Sequence, residues 1–229
     1  MEEFISEKDI AVLILASGNS VRIGGVTKQL LELGLTTILE RIITQVETRG
    51  HNPIVVTHNE EIHEYLNSLH KDYFVPDAHS ATCETLLSAQ TLWNKRTIVL
   101  LGDVIYSNAV MDEIFDVATK TQMVTQVFGD MWEIYALILV LDSFNNDRYG
   151  YERIVSSLER AKTYQGGKLR YFYRLFAGFD IDKDDVYEGE SKEKLIFRYV
   201  RDWTRDIDMM SQYNNALTEL VATGLLNKK

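Results

Sequence analysis

A glycine-bearing loop with two basic residues follows an apolar run near the start of the chain. The segment reads AVLILASGNSVRIGGVTKQLLEL from Ala11 to Leu33, and Arg22 and Lys28 lie inside its polar part. Backbone N–H groups of a bent loop can converge on an anion, and a nearby arginine and lysine add positive charge. The loop is neither a Walker A loop nor a Rossmann GxGxxG motif. Its composition therefore indicates an anion site, with an ordinary glycine-rich turn as the alternative.

Three aspartates elsewhere in the chain could belong to the same site. Asp103 follows the apolar run TIVLLG, and Asp206 and Asp208 lie two residues apart in the segment RDID. Residues two apart on a strand share a face, so these last two carboxylates would point the same way. An isolated aspartate after a strand is most often a turn residue. By itself, Asp103 therefore does not indicate a metal-binding or catalytic role. Such a role is indicated only if other motifs accompany it.

The elements that must position these residues alternate between strand and helix in the first half of the chain. Strands are predicted at 10–16, 52–58, 72–76 and 96–107. Helices are predicted at 36–50, 59–70, 81–95 and 108–121. The N-caps of the last two helices are predicted to be Thr82 and Asn108. The alternation predicts an α/β fold, with a mostly parallel sheet covered by helices on both faces.

Such a sheet has one edge at which ligands bind. Right-handed crossovers bring the carboxyl ends of parallel strands to this edge. The glycine-bearing loop follows the first predicted strand and Asp103 follows the fourth. We therefore expect the loop and Asp103 to lie on the same edge of the sheet.

The second half of the chain has a weaker pattern. Strands are predicted at 123–129 and 131–141 as antiparallel additions to the sheet, and further strands at 168–181 and 196–203. Helices are predicted at 149–164 and 209–226. The aromatic segment YFYRLFAGF favours core packing over the lining of an acceptor pocket. Nearby cations that could meet an acceptor phosphate are Lys168, Arg170 and Arg174.

Composition and net charge argue against several classes of protein. The chain has 229 residues, two prolines and no Ser- or Gly-rich linker, so a single domain over 1–229 is expected. A net charge of −10 argues against nucleic-acid or anionic-membrane partners, and no apolar run is long enough to span a bilayer. The acidic start MEEFISEKD does not resemble a signal peptide. The one cysteine, Cys83, fits a reducing cytoplasm and is expected to be a small buried side chain.

The histidines of the chain give no convincing metal set. His58, His63 and His70 flank or lie on the polar helix predicted at 59–70. We therefore expect them on a solvated face rather than in a zinc site.

The order of residues in the loop resembles the signature of the nucleotidyltransferases with a GT-A-like fold. This superfamily includes sugar-phosphate, phosphocholine and molybdenum-cofactor guanylyl transferases. Thr27 stands where the family usually has proline, and Ser20 where it often has glycine. The segments TIVLLGDVIYS and WTRDIDMMSQYNNAL resemble two further family motifs in the expected order. The loop residues that match the signature are Leu15, Ala16, Ser17, Gly18, Ser20, Arg22 and Lys28.

The resemblance implies a fold and a role for each matching residue. The fold is a three-layer α/β/α arrangement around a mostly parallel, Rossmann-like mixed sheet. Arg22 and Lys28 would be the catalytic residues that stabilise charge as pyrophosphate leaves. Asp103 and Asp208 would bind Mg²⁺, with Asp206 as a second or outer ligand, because one or two carboxylates with phosphates and water suffice for this ion. The nucleotide would be bound by Leu15, Ala16, Ser17, Gly18, Asn19, Ser20, Ala81 and Thr82.

The reaction implied is transfer of a nucleoside monophosphate to a small phosphate-bearing acceptor, a sugar 1-phosphate or a phosphocholine-like molecule. CTP or UTP is favoured as the donor. The nucleotide half would cover about 8–121 and the acceptor half about 122–229; a homodimer is left open.

Two rival functions remain at this point. A GT-A glycosyltransferase that uses a nucleotide sugar would carry Asp-x-Asp where the chain has Gly102 to Ile105. A non-catalytic relative would bind nucleotide without turning it over. An α/β domain with no nucleotide site would make all three motif matches accidental.

Overall fold

The computed structural model describes residues 5–18, 26–120, 124–130, 132–141, 149–182 and 196–226. Within these ranges, seven helices and eleven strands form the fold. The strands are β1 (Ile10–Leu15), β2 (Glu32–Leu33), β3 (Thr36–Thr37), β4 (Ile54–Val56), β5 (Tyr73–Phe74), β6 (Arg96–Leu101), β7 (Val104–Ile105), β8 (Gln126–Gly129), β9 (Ile134–Val140), β10 (Ile196–Tyr199) and β11 (Arg205–Asp206). The helices are α1 (Ile38–Glu47), α2 (Glu60–Ser68), α3 (Thr82–Ser88), α4 (Asn108–Ala118), α5 (Tyr149–Lys162), α6 (Leu169–Ala177) and α7 (Met210–Ala222).

A seven-stranded sheet in the order β10-β8-β9-β6-β1-β4-β5 forms the centre of the fold. The pairs β1–β4, β1–β6, β4–β5 and β8–β10 are parallel, whereas β9 is antiparallel to both β6 and β8. Six strands therefore run in one direction and only β9 runs against them. The prediction of a mostly parallel mixed sheet is confirmed, and strands from both halves of the chain pair in it.

Helices cover both faces of this sheet, because successive residues of the strands point to opposite sides. Val12 and Ile14 of β1 pack in one apolar cluster with residues of α1, α2, α4 and α7. Leu13 and Leu15 pack in a second cluster with residues of α3, α5 and α6. The three-layer α/β/α fold predicted from the sequence is thus confirmed.

Helix α1 shows how directly an amphipathic pattern specifies an element. Its N-cap is Thr37, whose Oγ1 accepts a hydrogen bond from the Glu40 N–H at 3.1 Å. Gly50 follows the helix with a φ of +81°, a value that glycine adopts without strain. All five apolar residues of the predicted stripe are buried: Ile38, Leu39, Ile42, Ile43 and Val46.

The strand predicted at 168–181 is wrong, because this segment contains α6. Its consecutive aromatic residues Tyr171, Phe172 and Tyr173 favour strands, although Arg170 and Arg174 have the four-residue spacing that a helix places on one face. Gly178 ends it with a φ of +78°, and the Phe179 N–H donates to the Arg174 carbonyl at 2.8 Å. The aromatic residues of the segment do pack in the core, as predicted.

Two predicted helix caps are displaced by one residue. The N-cap of α3 is Ala81 rather than Thr82, and its first turn is tied by Glu84, which accepts from the N–H and hydroxyl of Ser80. The N-cap of α4 is Ser107 rather than Asn108, with its Oγ accepting from the Val110 N–H at 3.0 Å. In both cases the residue before the predicted one has the extended backbone that an N-cap requires.

No helix in the described part of the chain is both long enough and apolar enough to cross a membrane.

Candidate active site

A polar cleft opens at the carboxyl edge of the sheet. It is bordered by Leu15 at the end of β1, Leu101 at the end of β6 and Ile134 at the start of β9. Its volume is about 320 Å³, which lies within the range of small-molecule sites. The loop start and Asp103 therefore lie on one edge, as the strand order predicted.

An ion-pair cluster around Lys28 forms one part of the cleft. Lys28 Nζ lies 2.9 Å from Asp208 Oδ1 and 3.4 Å from Asp103 Oδ2. The lysine is 8% exposed, and Asp206 borders the same cleft. Three segments that lie far apart in sequence thus bring one cation and three carboxylates together.

Short strands hold the aspartates in register. Strand β11 pairs antiparallel with β7, so that Asp206 lies opposite Val104. The Ile207 N–H donates to the Asp103 carbonyl at 3.2 Å. The backbones that carry Asp103, Asp206 and Asp208 are therefore hydrogen-bonded to each other, which fixes the spacing of the carboxylates.

Gly102 brings this cluster close to β1. Its N–H donates to the Leu15 carbonyl at 2.9 Å. A Cβ at this position would lie 3.0 Å from the Leu15 carbonyl oxygen and 3.1 Å from the Ala16 Cβ. The missing side chain therefore lets the end of β6 approach the start of the glycine-bearing loop.

The clustered charges shift the pKa values of their neighbours. Burial disfavours the charge on Lys28, but Asp103, Asp208 and Asp206 outweigh it and raise the lysine pKa. Burial raises the pKa of Asp103, against the lowering effect of Lys28. For Asp206, burial and then repulsion from Asp103 and Asp208 raise the pKa to about 8. Three carboxylates share one lysine, so the cluster has an excess of negative charge.

This excess makes the cluster suited to a divalent cation. Asp206 Oδ1 is buried and has no hydrogen-bond partner within the described residues. In the same residues, no group of three His, Cys, Asp or Glu side chains is placed to hold a metal by itself. Mg²⁺ needs only one or two carboxylates when phosphates and water complete its shell. Asp103, Asp206 and Asp208 could therefore supply the protein ligands of a cation that arrives with a triphosphate.

Most of the remaining predicted nucleotide residues also border the cleft. Ser17 and Gly18 lie at the loop start, and Ala81 and Thr82 lie at the start of α3. Ala16 is buried behind them, where its N–H donates to the Val56 carbonyl at 2.9 Å and its carbonyl accepts from the Thr57 hydroxyl. The predicted residues Asn19, Ser20 and Arg22 lie outside the described residues.

Several cleft residues were missed by the sequence analysis. Gln29 is 2% exposed, and its Oε1 lacks a hydrogen-bond partner within the part of the chain described. Its position next to Lys28 was the one signal that could have identified it. His79 and Glu133 also border the cleft, and no local pattern in the sequence distinguishes either residue.

Basic residues of the chain's second half also border the cleft. Lys168 and Arg170 border it, and Lys168 Nζ lies 3.5 Å from Glu133 Oε1. Arg174, the third cation considered from the sequence, is 3% exposed and donates to the Asp180 carbonyl instead. The expectation that Arg174 could meet an acceptor is therefore corrected, since its guanidinium is held away from the cleft.

The three histidines considered from the sequence lie in different surroundings. His58 stacks on His79, with ring centroids 3.6 Å apart, and His63 stacks on Tyr73 at 4.5 Å. His70 is exposed, with a φ of +53°. His58 and His63 therefore take part in aromatic packing, and only His70 lies on an open surface.

Cys83 is a structural residue beneath the cleft. It is fully buried, and burial raises the pKa of its thiol to about 12. The expected role as a small buried side chain is confirmed.

A protein-family profile matches the first part of the chain. Residues 12–145, more than half of the chain, match the profile described as the MobA-like NTP transferase domain. Comparison with curated protein sequences gave no significant match.

Several solved structures resemble the chain over nearly its whole length. A candidate glucose-1-phosphate thymidylyltransferase from Bacillus anthracis is 14% identical, with a TM-score of 0.62 and coverage of 92% of this chain and 94% of that one. HddC from Yersinia pseudotuberculosis, complexed with GMP-PN, is 14% identical, with a TM-score of 0.58 and coverage of 92% and 99%. CTP:phosphocholine cytidylyltransferase from Streptococcus pneumoniae is 16% identical, with a TM-score of 0.53 and coverage of 93% and 99%. At these identities the likeness shows a shared fold.

Proposed function

The chain belongs to the MobA-like NTP transferase domain family, and from that premise we propose that it transfers a nucleoside monophosphate to a small phosphate-bearing acceptor with release of pyrophosphate. The observation that carries the proposal is the position of Lys28 between Asp103 and Asp208 at the carboxyl edge of the sheet. This arrangement supports the proposal, because it places a cation suited to phosphates beside carboxylates suited to a divalent ion.

The reaction needs positioning and charge stabilisation rather than a general base. An oxygen of the acceptor phosphate attacks the α-phosphorus of the nucleoside triphosphate, and a new P–O bond forms. The bond between the α-phosphorus and the oxygen bridging to the β-phosphorus breaks, and pyrophosphate leaves with the electron pair. The acceptor phosphate is already ionised at neutral pH, so no side chain has to remove a proton.

Lys28 stabilises the negative charge that develops on the phosphates. Its pKa is raised by the surrounding carboxylates, so the ammonium keeps its charge throughout the neutral range. Asp103 and Asp208, assisted by Asp206, would hold Mg²⁺, which would supply neutralisation of the phosphate charge and polarisation of the α-phosphorus. The motif resemblance assigns a second positive charge at the phosphates to Arg22, which lies outside the described residues.

The order of residues along the cleft assigns its two ends. Strand β1 lies between β4 and β6 in the sheet. The loop start after β1 borders the side that we assign to the nucleotide, and Lys168, which pairs with Glu133 just before β9, borders the side beyond β6 that we assign to the acceptor. Lys168 and Arg170 bind the acceptor phosphate, and we favour a sugar 1-phosphate or a phosphocholine-like molecule as the acceptor and CTP or UTP as the donor.

The direct test is pyrophosphate release by the purified protein. Five nucleoside triphosphates are combined with sugar 1-phosphates and phosphocholine, with and without Mg²⁺, and nucleotide sugars serve as donors in a parallel series. Lys28→Ala and Asp103→Asn should each reduce kcat by about 10²–10³-fold, the loss typical of a group that stabilises transition-state charge. Lys120→Ala removes an exposed lysine that pairs with Asp116 and should leave the rate unchanged. Full pyrophosphate release by either cleft variant would contradict the assigned roles, and glycosyl transfer from a nucleotide sugar would replace the proposed reaction.

A further inference from the structure

Two histidines form an aromatic stack at the nucleotide end of the cleft. The imidazole rings of His58 and His79 have centroids 3.6 Å apart and planes inclined by 20°. His58 follows the carboxyl end of β4 by two residues and is half-buried, whereas His79 is exposed and borders the cleft. Since His58 covers one face of the His79 ring, the opposite face is the one available to a ligand.

The stack lies where the base of a bound triphosphate would be expected. In the sheet, β4 and β6 flank β1 on opposite sides. The end of β6 leads to Asp103, and the end of β4 leads to His58. A nucleotide whose phosphates lie at Lys28 and the carboxylates would extend its base across the loop start toward His79. The next residues, Ser80 and Ala81, already border this end of the cleft.

The surroundings of His58 favour its uncharged form. Burial lowers the pKa of His58, and the nearby His79 and His63 lower it further. His58 Nδ1 is buried and has no hydrogen-bond partner in the described ranges. Neutral aromatic rings stack on nucleobases with little dependence on base identity, because every base has a π-face.

We propose that His79, supported from behind by His58, is the stacking platform for the base of the bound nucleoside triphosphate. This inference rests on the proposed function, since it assumes that a triphosphate occupies the cleft. It assigns to the pair a role in affinity for the base, whereas Lys28 and the carboxylates act on the phosphates.

The test compares a ligand that has a base with one that lacks it. Calorimetry would give the affinities of the preferred Mg²⁺–nucleoside triphosphate and of Mg²⁺–tripolyphosphate for the wild type, His79→Ala and His79→Phe. His79→Ala should bind the nucleoside triphosphate about tenfold more weakly, because the base loses the aromatic face on which it stacks. Its affinity for tripolyphosphate should be unchanged, and His79→Phe should retain most of the affinity because it keeps the aromatic face. His70→Asn, which removes an exposed histidine outside the cleft and tolerates the positive φ, is the matched control.

Any other result would contradict the proposal that the base stacks on His79. Unchanged affinity in His79→Ala would show that the ring does not contact the base. Equal losses for both ligands, or a phenylalanine variant as weak as the alanine variant, would show that stacking is not the cause. Failure of the wild type to bind any nucleoside triphosphate would instead reject the proposed function, and the platform with it.

Discussion

Asp206 carries a carboxyl group in surroundings that oppose its charge. Burial and the negative charges of Asp103 and Asp208 raise its pKa from 3.8 to about 8. Between these two values the folded protein binds more protons at this group than the unfolded chain does. By linkage, the contribution of Asp206 to the free energy of unfolding therefore falls as the pH rises from 3.8 to about 8. The cluster is thus kept at a cost to stability, which is common where function requires like charges to be close.

Replacing this carboxyl should therefore stabilise the protein in a pH-dependent way. We expect Asp206→Asn to melt close to the wild type near pH 4, and to melt at increasingly higher temperature than the wild type up to about pH 8. The measurement is a series of thermal melts across this range in the absence of divalent cations. Asp72→Asn, at an exposed position, should show no such trend. A difference in melting temperature between wild type and Asp206→Asn that stays constant with pH would contradict the raised pKa of Asp206.

Added Mg²⁺ provides a second measurement on the same variants. If Asp206 helps to hold the cation, Mg²⁺ should stabilise the wild type more than Asp206→Asn and so narrow the gap near pH 8. An identical response of both proteins to Mg²⁺ would remove Asp206 from the proposed ligand set.

At the scale of elements, the turn between α5 and α6 packs against the first turn of α3 at the border of the cleft. The Gly167 N–H donates to the Tyr164 carbonyl at 2.8 Å, and the Gly167 carbonyl accepts from the Cys83 N–H at 3.0 Å. The turn therefore anchors Lys168 and Arg170 to the first turn of α3. Its two glycines both have positive φ, +79° at Gly166 and +59° at Gly167.

The two glycines differ in what a side chain would meet, so they form a matched pair for mutation. A Cβ at Gly167 would lie 2.4 Å from the Ala81 Cβ, whereas a Cβ at Gly166 would have no atom within 4 Å. Gly166→Ala should cost about 1–2 kcal/mol for the left-handed backbone. Gly167→Ala should cost about 2–4 kcal/mol, because steric overlap adds to the same strain. Urea unfolding would measure both, and equal losses would mean that the turn moves away from α3 without penalty.

At the scale of the whole molecule, the charge balance predicts that triphosphate binding depends on a divalent cation. The chain has a net charge of −10, so its field repels a free triphosphate as a whole. Lys28 supplies local attraction, but three carboxylates surround it. A divalent cation would neutralise both the carboxylates and the phosphates, so binding should depend on it.

This dependence can be measured by thermal shift with ATP, GTP, CTP, UTP and dTTP, each with and without Mg²⁺. A triphosphate at about 100 times its Kd adds roughly 2.7 kcal/mol, and each kcal/mol raises Tm by about 2–4 °C in a domain of this size. We expect one base to give a clear Mg²⁺-dependent shift and the Mg²⁺-free samples to give little. An equal shift without Mg²⁺ would contradict the charge argument, and no shift with any triphosphate would contradict the proposed function.

Much of the fold could be predicted because its signals are local. The apolar run of β1 and the stripe of α1 each lie within one element, and both elements form where their pattern predicts. Helix α6 was wrongly predicted as a strand, because its consecutive aromatic residues favour strands and this local propensity was given more weight than the helical spacing of Arg170 and Arg174. The N-caps of α3 and α4 were displaced by one residue, since two neighbouring residues could each have taken the backbone conformation of a cap.

The sequence by itself determined the family signature, the alternation of strands and helices and therefore the edge at which the site lies. These features depend on residue order and on local periodicity. Only the tertiary structure decided which side chains meet there. Lys28 contacts Asp208 across 180 positions of the chain, His79 stacks on His58 from a separate loop, and Arg174 turns away from the cleft. The physical reason is that such contacts are made by packing between distant elements, and no local pattern records which partners the packing brings together.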